Sequence, residues 1–161
     1  MADRYPMTPK GLRALRDELK HLREFDRPKN VLDIEEARAH GDLRENAEYH
    51  AAKEKQGFIE TRLRDLEGMI AQSEVIDPGK LSGSKIVFGA TVKLTDPNTA
   101  EEVTYTIVGD CESDIKIGKI AISAPLARAL IGKEEGDTVL LRNAKGGREY
   151  EVMQVTFIPQ E

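Results

Sequence analysis

The sequence predicts an α+β protein: an N-terminal antiparallel coiled-coil helical hairpin followed by a small α+β domain. In the first half Gly and Pro are sparse, and apolar residues recur at helical spacings. After about Pro78, short β-rich runs alternate with Gly, Pro and Asn, which is typical of strands and turns. Aromatic residues make up 5% of the 161 residues and charged residues 33%, a composition that suits long, thin helices. We therefore place the hairpin at 1–77, a linker at 78–84 and the second domain at 85–161.

Composition also excludes several classes of protein. No apolar run approaches the roughly 18–20 residues of a membrane span, and Met1–Arg4 begins no apolar signal region. The single cysteine, Cys111, excludes an internal disulfide. A net charge of −5 argues against a general nucleic-acid coat protein, which would be basic. These features predict a cytoplasmic protein.

The first helix has a clear start. Thr8 suits the N-cap position, and Pro9 suits the first helical position. Leucines then recur at alternating spacings of three and four, which predicts a coiled-coil seam of Leu12, Leu15, Leu19 and Leu22. Pro28 predicts a kink or a break. The apolar stripe resumes with Val31, Ile34 and Ala37, and the helix is expected to end at His40-Gly41.

A second long helix is expected to open at Asp42, with the same periodicity. Its predicted seam consists of Ala52, Gln56, Ile59, Leu63, Leu66 and Ile70. Two matched stripes joined by a tight turn predict an antiparallel hairpin. At about 1.5 Å per residue its first arm would reach on the order of 50 Å, a length typical of a probe or a clamp.

The second half alternates in the manner of strands. Strands are predicted at 91–94 and 103–108 around a turn at 96–98, and a short helix is predicted from Pro125 to Gly132. A closing hairpin pairs 138–142 with 149–157. The apolar positions of its last strand shift phase between Val152 and Met153, which predicts a β-bulge.

The turn of the hairpin carries two carboxylates, Asp42 and Glu45, three residues apart. One explanation is structural, because Asp at a cap with Glu three residues later is an ordinary arrangement at a helix N-terminus. The other is that both carboxylates hold a divalent cation. Two carboxylates make a weak Mg²⁺ site that needs water and phosphate to complete its shell, so a partner would have to supply the rest.

A stripe of basic side chains runs beside the leucine seam of the first helix. It comprises Lys10, Arg13, Arg16, Lys20, Arg23 and Arg27. Such a stripe is either a solvated flank that covers the seam or a surface that contacts RNA or acidic protein walls. Near the turn, Asn46 and Tyr49 are candidate contacts to nucleic acid, although Tyr49 could equally pack against the first helix.

Residues 34–53, IEEARAHGDLRENAEYHAAK, closely resemble the signature of the bacterial Gre transcript-cleavage factors. Shorter segments resemble the same family in the same order along the chain: 5–8, 27–28, 88–92, 107–109 and 130–133. The resemblance spans essentially the whole chain. The acidic charge fits the GreA type better than the GreB type. Leu43 and Arg44 between the two carboxylates favour a factor that stimulates transcript cleavage over one that inhibits it.

The resemblance implies a fold and a mechanism. The C-terminal domain would be FKBP-like and dock on bacterial RNA polymerase, and the hairpin would enter the secondary channel. Asp42 and Glu45 would share the second catalytic Mg²⁺ with polymerase and promote cleavage at the nascent RNA 3′ end of a backtracked complex. The protein would then be a monomer that is no enzyme by itself, with no Mg²⁺ expected in isolation and no membrane partner. The alternative is a non-catalytic polymerase-binding regulator, or an FKBP-like chaperone or scaffold with a coiled-coil arm.

Overall fold

The chain forms two compact units. The computed structural model describes residues 4–41, 46–143 and 146–160. Residues 13–73 form a helical unit, whereas 4–12 group with 74–160 in a second unit. The N-terminal segment therefore packs with the second unit, although it belongs to the first predicted domain. The limits 1–77, 78–84 and 85–161 stay predictions.

The helical unit is a hairpin of long helices. Its elements are α1 (Pro9–His21) from Arg13 onward, a π-helical segment (Leu22–Asp26), α2 (Arg27–Arg38) and α3 (Ala47–Ala71). The chain is helical throughout Pro9–Arg38, so of the kink or break expected at Pro28 a break is excluded, and a π-helical segment precedes the proline. The Arg27 N–H donates to the Leu22 carbonyl five residues back. This wider turn rearranges the carbonyls that the Pro28 ring would otherwise meet.

The π-helical turn also shifts the apolar seam. An uninterrupted heptad pattern from Leu22 would place the next inward positions at 26, 29, 33 and 36, the last three of them on α2. The buried positions on α2 are instead Asn30, Ile34 and Ala37, each one residue later. A single inserted residue produces this displacement.

The prediction that Val31 belongs to the seam is therefore wrong. Its side chain is 43% exposed, whereas that of Asn30 is 2% exposed. Opposite them, α3 buries four of its six predicted seam residues, namely Ala52, Ile59, Leu63 and Leu66. The Asn30 amide Nδ2 donates to the Ala52 carbonyl across the hairpin at 2.9 Å. This hydrogen bond makes a buried polar side chain tolerable in the seam.

The second unit is built on a five-stranded sheet in the order β5-β4-β3-β7-β6. Its strands are β3 (Thr91–Thr95), β4 (Glu102–Val108), β5 (Lys119–Ala121), β6 (Thr138–Asn143) and β7 (Gly146–Thr156). The β4–β5 pair is parallel and the other pairs are antiparallel. A short helix, α4 (Pro125–Leu130), lies on the connection between β5 and β6. Two short strands, β1 (Tyr5–Met7) and β2 (Ser73–Val75), pair with each other.

The core of this unit is aliphatic and centres on β3. Val92 and Leu94 are fully buried, together with Ile107, Leu130 and Val152. The predicted bulge is confirmed, because Lys93 pairs with Gln154 whereas Leu94 pairs with Val152. Met153 is the extra residue and is 49% exposed. The bulge lets Val152 and Val155, three residues apart, both face the core.

The first residues of α1 belong to the second unit, where they lie against Glu112. Its carboxylate accepts hydrogen bonds from the backbone N–H groups of Thr8 at 3.0 Å and Gly109 at 3.1 Å, and also from the Thr8 hydroxyl. The same hydroxyl accepts from the Gly11 N–H at 3.1 Å. A Cβ at Gly11 would lie 2.2 Å from the Glu112 carboxyl carbon, so a larger residue there would require the Glu112 side chain to shift.

Candidate functional site

The candidate site lies where the two arms of the hairpin are joined. Helix α2 ends at Arg38, and Gly41 adopts a positive φ of 113° that favours glycine. The chain then passes through Asp42, Leu43, Arg44 and Glu45 before Asn46 precedes α3. The predicted catalytic and metal-binding pair, Asp42 and Glu45, lies outside the described residues.

Asn46 uses both ends of its side-chain amide. Its Oδ1 accepts from the Tyr49 backbone N–H at 3.0 Å, which is the bond of a helix N-cap. Its Nδ2 donates to the Ala37 carbonyl in the last turn of α2 at 2.5 Å. The backbone of Asn46 is extended, with φ −87° and ψ 96°, as an N-cap requires. One side chain thus joins the end of α2 to the start of α3.

The expectation that the second helix opens at Asp42 is therefore wrong. Asn46 is extended and α3 begins at Ala47. Asparagine caps a helix about as well as aspartate, so α3 needs no cap from Asp42. Asn46 was also a possible N-cap in the sequence, because asparagine is among the preferred cap residues, but so is aspartate at 42.

Tyr49 lies against the end of α2. Its ring is half-buried, and the Arg38 guanidinium carbon is 5.8 Å from the ring centroid, within the range of a cation–π contact. His50 makes an edge-on ring contact with Tyr49, with the centroids 5.7 Å apart. Of the two explanations for Tyr49, these contacts favour packing against the first arm. Contact of Asn46 or Tyr49 with nucleic acid stays a prediction.

Two members of the basic stripe pair with carboxylates of α3. Arg27 donates from Nε and Nη2 to the two carboxylate oxygens of Glu60, at 2.9 and 3.0 Å. Arg23 Nη2 lies 2.6 Å from Glu67. These guanidinium groups join the two arms, which favours the explanation of the stripe as a flank of the seam at these positions.

The other four basic residues are exposed, namely Lys10, Arg13, Arg16 and Lys20. The backbone N–H of Lys10 donates to the Gln160 side chain at 3.0 Å, within the second unit. Contact of this part of the stripe with RNA or protein walls stays a prediction.

The charged flanks of the hairpin are paired rather than uniformly positive. Arg62 on α3 donates from Nε and Nη2 to the Glu18 carboxylate at 2.5 and 2.8 Å. The Arg62 guanidinium holds the pKa of Glu18 below its usual value, against the opposing effect of burial.

An acidic hollow of about 390 Å³ lies between α2 and α3 near their joined ends. It is lined by Asp33, Glu36, Ala37, Glu48, Ala51, Ala52 and Lys55. Among the described residues, no three His, Cys, Asp or Glu side chains are grouped so as to hold a metal ion.

Comparison with known families accounts for nearly the whole chain. Residues 5–75 match the family "Transcription elongation factor, N-terminal", and residues 81–157 match "Transcription elongation factor, GreA/GreB, C-term". The chain belongs to the GreA/GreB family of transcription elongation factors. The identification made from residues 34–53 is thereby confirmed.

Individual GreA relatives match along their full length. The chain is 61% identical to the transcription elongation factor GreA of Xylella fastidiosa (strain M23) over 156 residues, covering 96% of this chain and 99% of that one. It is 56% identical to the GreA of Anaeromyxobacter sp. (strain K), covering 98% and 95% respectively. A crystal structure of Gfh1, the GreA factor homolog 1 of Thermus thermophilus, is 27% identical with a TM-score of 0.43, covering 94% and 98%.

These relatives support a GreA-type factor that acts in transcription elongation. The predicted α+β architecture with a long N-terminal helical hairpin is confirmed. In the part of this GreA/GreB family member that the structure describes, no helix is long and apolar enough to cross a membrane.

Proposed function

We propose that this factor stimulates RNA polymerase to cleave the 3′ end of backtracked nascent RNA. The hairpin would pass down the secondary channel and bring Asp42 and Glu45 to the active centre. The second unit, with an FKBP-like fold, would dock at the channel rim. The factor would act in the cytoplasm as a monomer. Membership of the GreA/GreB family supports this proposal, because it makes polymerase the partner.

The observation that carries the proposal is the N-cap of α3. The structural explanation of Asp42 was that it caps the second helix. Asn46 supplies that cap through its hydrogen bond with the Tyr49 N–H, so the helix gives no reason for an aspartate at 42. A carboxylate pair between Gly41 and Asn46 is then better explained by chemistry than by helix capping.

The donor set suits Mg²⁺ when a partner completes it. Asp42 and Glu45 offer hard oxygen ligands, and Mg²⁺ in proteins is commonly held by one or two carboxylates, with water and phosphate filling the remaining positions. These two residues would hold the ion together with polymerase and the RNA phosphate. When bound, the ion would supply Lewis-acid activation of water at the scissile phosphodiester.

The chain's own residues would orient the attacking water and contact the RNA. The carboxylate oxygens of Asp42 and Glu45 would accept hydrogen bonds from the attacking water and orient it toward the phosphorus. The exposed ammonium groups of Lys10 and Lys20, with the guanidinium of Arg16, would face the extruded RNA or the acidic walls of the channel.

The proposal is tested on a stalled, backtracked polymerase complex that carries RNA labelled at its 3′ end. Adding the wild-type factor with Mg²⁺ should release short labelled fragments. Asp42→Asn and Glu45→Gln should bind polymerase but release them at least about tenfold more slowly, because each loses a charged ligand. The matched control is Glu48→Gln, which removes the same charge from an exposed position in the first turn of α3. It should cleave within about twofold of wild type.

Two results would contradict the proposal. If Asp42→Asn and Glu45→Gln both cleaved at the wild-type rate, the two carboxylates would have no role in cleavage. Polymerase binding without any fragment release would favour the non-catalytic regulator instead.

A further inference from the structure

We propose that the second unit holds a binding pocket for the phosphate group of a small molecule, on the face of its sheet that points away from the core. The pocket has a volume of about 330 Å³, which is within the range of small-ligand sites. The residues that line it all belong to the second unit. Binding at this pocket is separate from the transcript-cleavage function, so either can fail without the other.

The pairing of three strands places polar side chains side by side in this pocket. Thr91 on β3 pairs with Thr106 on β4, and Thr106 pairs with Lys119 on β5. Side chains of paired residues lie on the same face of a sheet, whereas successive residues along one strand alternate between faces. The residues that follow these three along their strands belong to the hydrophobic core, namely Val92, Ile107 and Ile120. Thr91, Thr106 and Lys119 therefore share the opposite face.

The two threonine hydroxyls leave one proton for a ligand. Thr91 is only 9% exposed, and its Oγ1 lies 3.0 Å from the Oγ1 of Thr106. A hydroxyl carries a single proton, so whichever of the two donates in this pair, the other keeps its proton for a further acceptor. The described residues provide no such acceptor. An oxyanion in the pocket would accept this hydrogen bond.

The charged side chains that line the pocket are positive. They are the half-buried Lys119 and the exposed Lys10, and no described aspartate or glutamate lines the pocket with them. Within the part of the chain that the structure describes, neither ammonium group is paired with a carboxylate. The neighbouring Glu112 carboxylate already accepts from the backbone N–H groups of Thr8 and Gly109. The pocket therefore favours an anion, and its half-buried charge is that of Lys119.

A phosphate group suits these donors better than a carboxylate does. A phosphate monoester carries a charge of about −1.5 to −2 and three acceptor oxygens, whereas a carboxylate has a single negative charge on two oxygens. Lysine binds phosphate as a point charge, and hydroxyl groups donate to phosphate oxygens. The remaining wall of the pocket is largely apolar and includes Pro78, Val108, Ile158 and Pro159. This wall would face the organic part of a phosphate ester.

The test is an NMR titration of the full chain that follows the backbone amides of Thr91, Thr106 and Lys119. The probes are inorganic phosphate, adenosine 5′-monophosphate and adenosine, at an ionic strength held constant with chloride because salt screens exposed charges. Lys119→Met removes the ammonium group and keeps a side chain of similar length. Lys133→Met is the matched control, since Lys133 is an exposed lysine of the second unit that does not line the pocket.

Inorganic phosphate should shift the three amides of the wild-type protein in a saturable manner. Lys119→Met should bind it at least about tenfold more weakly, because a hydrogen bond between charged groups is lost, and Lys133→Met should stay within about twofold of wild type. Adenosine should cause no saturable shift. Tighter binding of the monophosphate than of inorganic phosphate would identify an ester as the ligand, and equal affinities would identify the free ion.

Four results would overturn the proposal. One is the absence of a saturable shift at the three amides when phosphate is added to wild type. Another is an affinity of Lys119→Met within about twofold of wild type, and a third is an equal loss in Lys133→Met, which would indicate a general effect of charge. Adenosine that binds as tightly as its monophosphate would indicate an apolar pocket without anion recognition. Lys119→Gln, which also loses the charge, serves as the second variant should Lys119→Met fail to fold.

Discussion

Replacing the buried asparagine of the seam should weaken the hairpin measurably. In Asn30→Ala the amide that donates to the Ala52 carbonyl at 2.9 Å is lost, at a position only 2% exposed. Removing one partner of a buried hydrogen bond costs about 1–3 kcal/mol. The Ala52 carbonyl lies within α3 and keeps its helical N–H partner, which favours the lower half of that range.

The assay is urea unfolding of the full chain followed by circular dichroism of the helices. Asn30→Ala should reduce the free energy of unfolding by about 1–2 kcal/mol. The neighbouring Lys29→Ala is the control, because Lys29 is exposed and surface substitutions usually change stability by less than about 0.5 kcal/mol. An Asn30→Ala variant as stable as Lys29→Ala would show that the buried hydrogen bond makes no net contribution to stability.

Three further predictions concern stability. Leu66→Ala should cost about 2–5 kcal/mol in thermal or urea unfolding, because Leu66 is fully buried on α3; a loss below about 1 kcal/mol would contradict its place in the seam. Ala124→Ser should stabilise the chain by about 0.5–2 kcal/mol, since Ala124 is the extended N-cap of α4 without a side-chain acceptor; an unchanged melting temperature would refute this. The hydrogen bond from the Asn98 backbone N–H, and to a smaller extent Arg148, hold the pKa of Asp96 below its usual value, although burial acts to raise it. Its ionised form therefore stabilises the fold above about pH 4, and this contribution is lost as the pH falls through the lowered pKa. Asp96→Asn should weaken the pH dependence of the free energy of unfolding below about pH 4. The same pH dependence in wild type and variant would contradict this role of Asp96.

The sequence predicted the helical hairpin but not the phase of its seam after Pro28. Leucine spacing identified α1, and apolar spacing identified α3, because a buried stripe must follow the helical period. The π-helical turn at Leu22–Asp26 inserts one residue, and this turn depends on how the proline is accommodated in three dimensions. Asn30 therefore takes the inward position expected for Val31.

At the end of the hairpin, the sequence analysis predicted a metal-binding pair of carboxylates, and it placed the start of the second helix at Asp42 instead of Ala47. Aspartate and asparagine are both good N-caps, so local preference could not choose between Asp42 and Asn46. The choice depends on the contact of Asn46 with Ala37 in the other arm. Such a contact between residues nine positions apart has no periodic signal.

In the five-stranded sheet, local signals predicted every strand except β5, together with α4 and the bulge at Met153. The short parallel strand β5 was missed. Its three residues pair with β4 through a tertiary arrangement, and a three-residue strand is too short to show alternation.

In the proposed function, Asp42 acts through its negative charge in Mg²⁺-dependent cleavage. The most direct measurement is the rate of fragment release from a backtracked complex across a range of Mg²⁺ concentrations, for wild type and Asp42→Asn. The rate for Asp42→Asn should be at least about tenfold lower at low Mg²⁺ and should recover in part as the Mg²⁺ concentration rises, because one ligand of the ion is lost. Matching curves for the two proteins would contradict this role of Asp42.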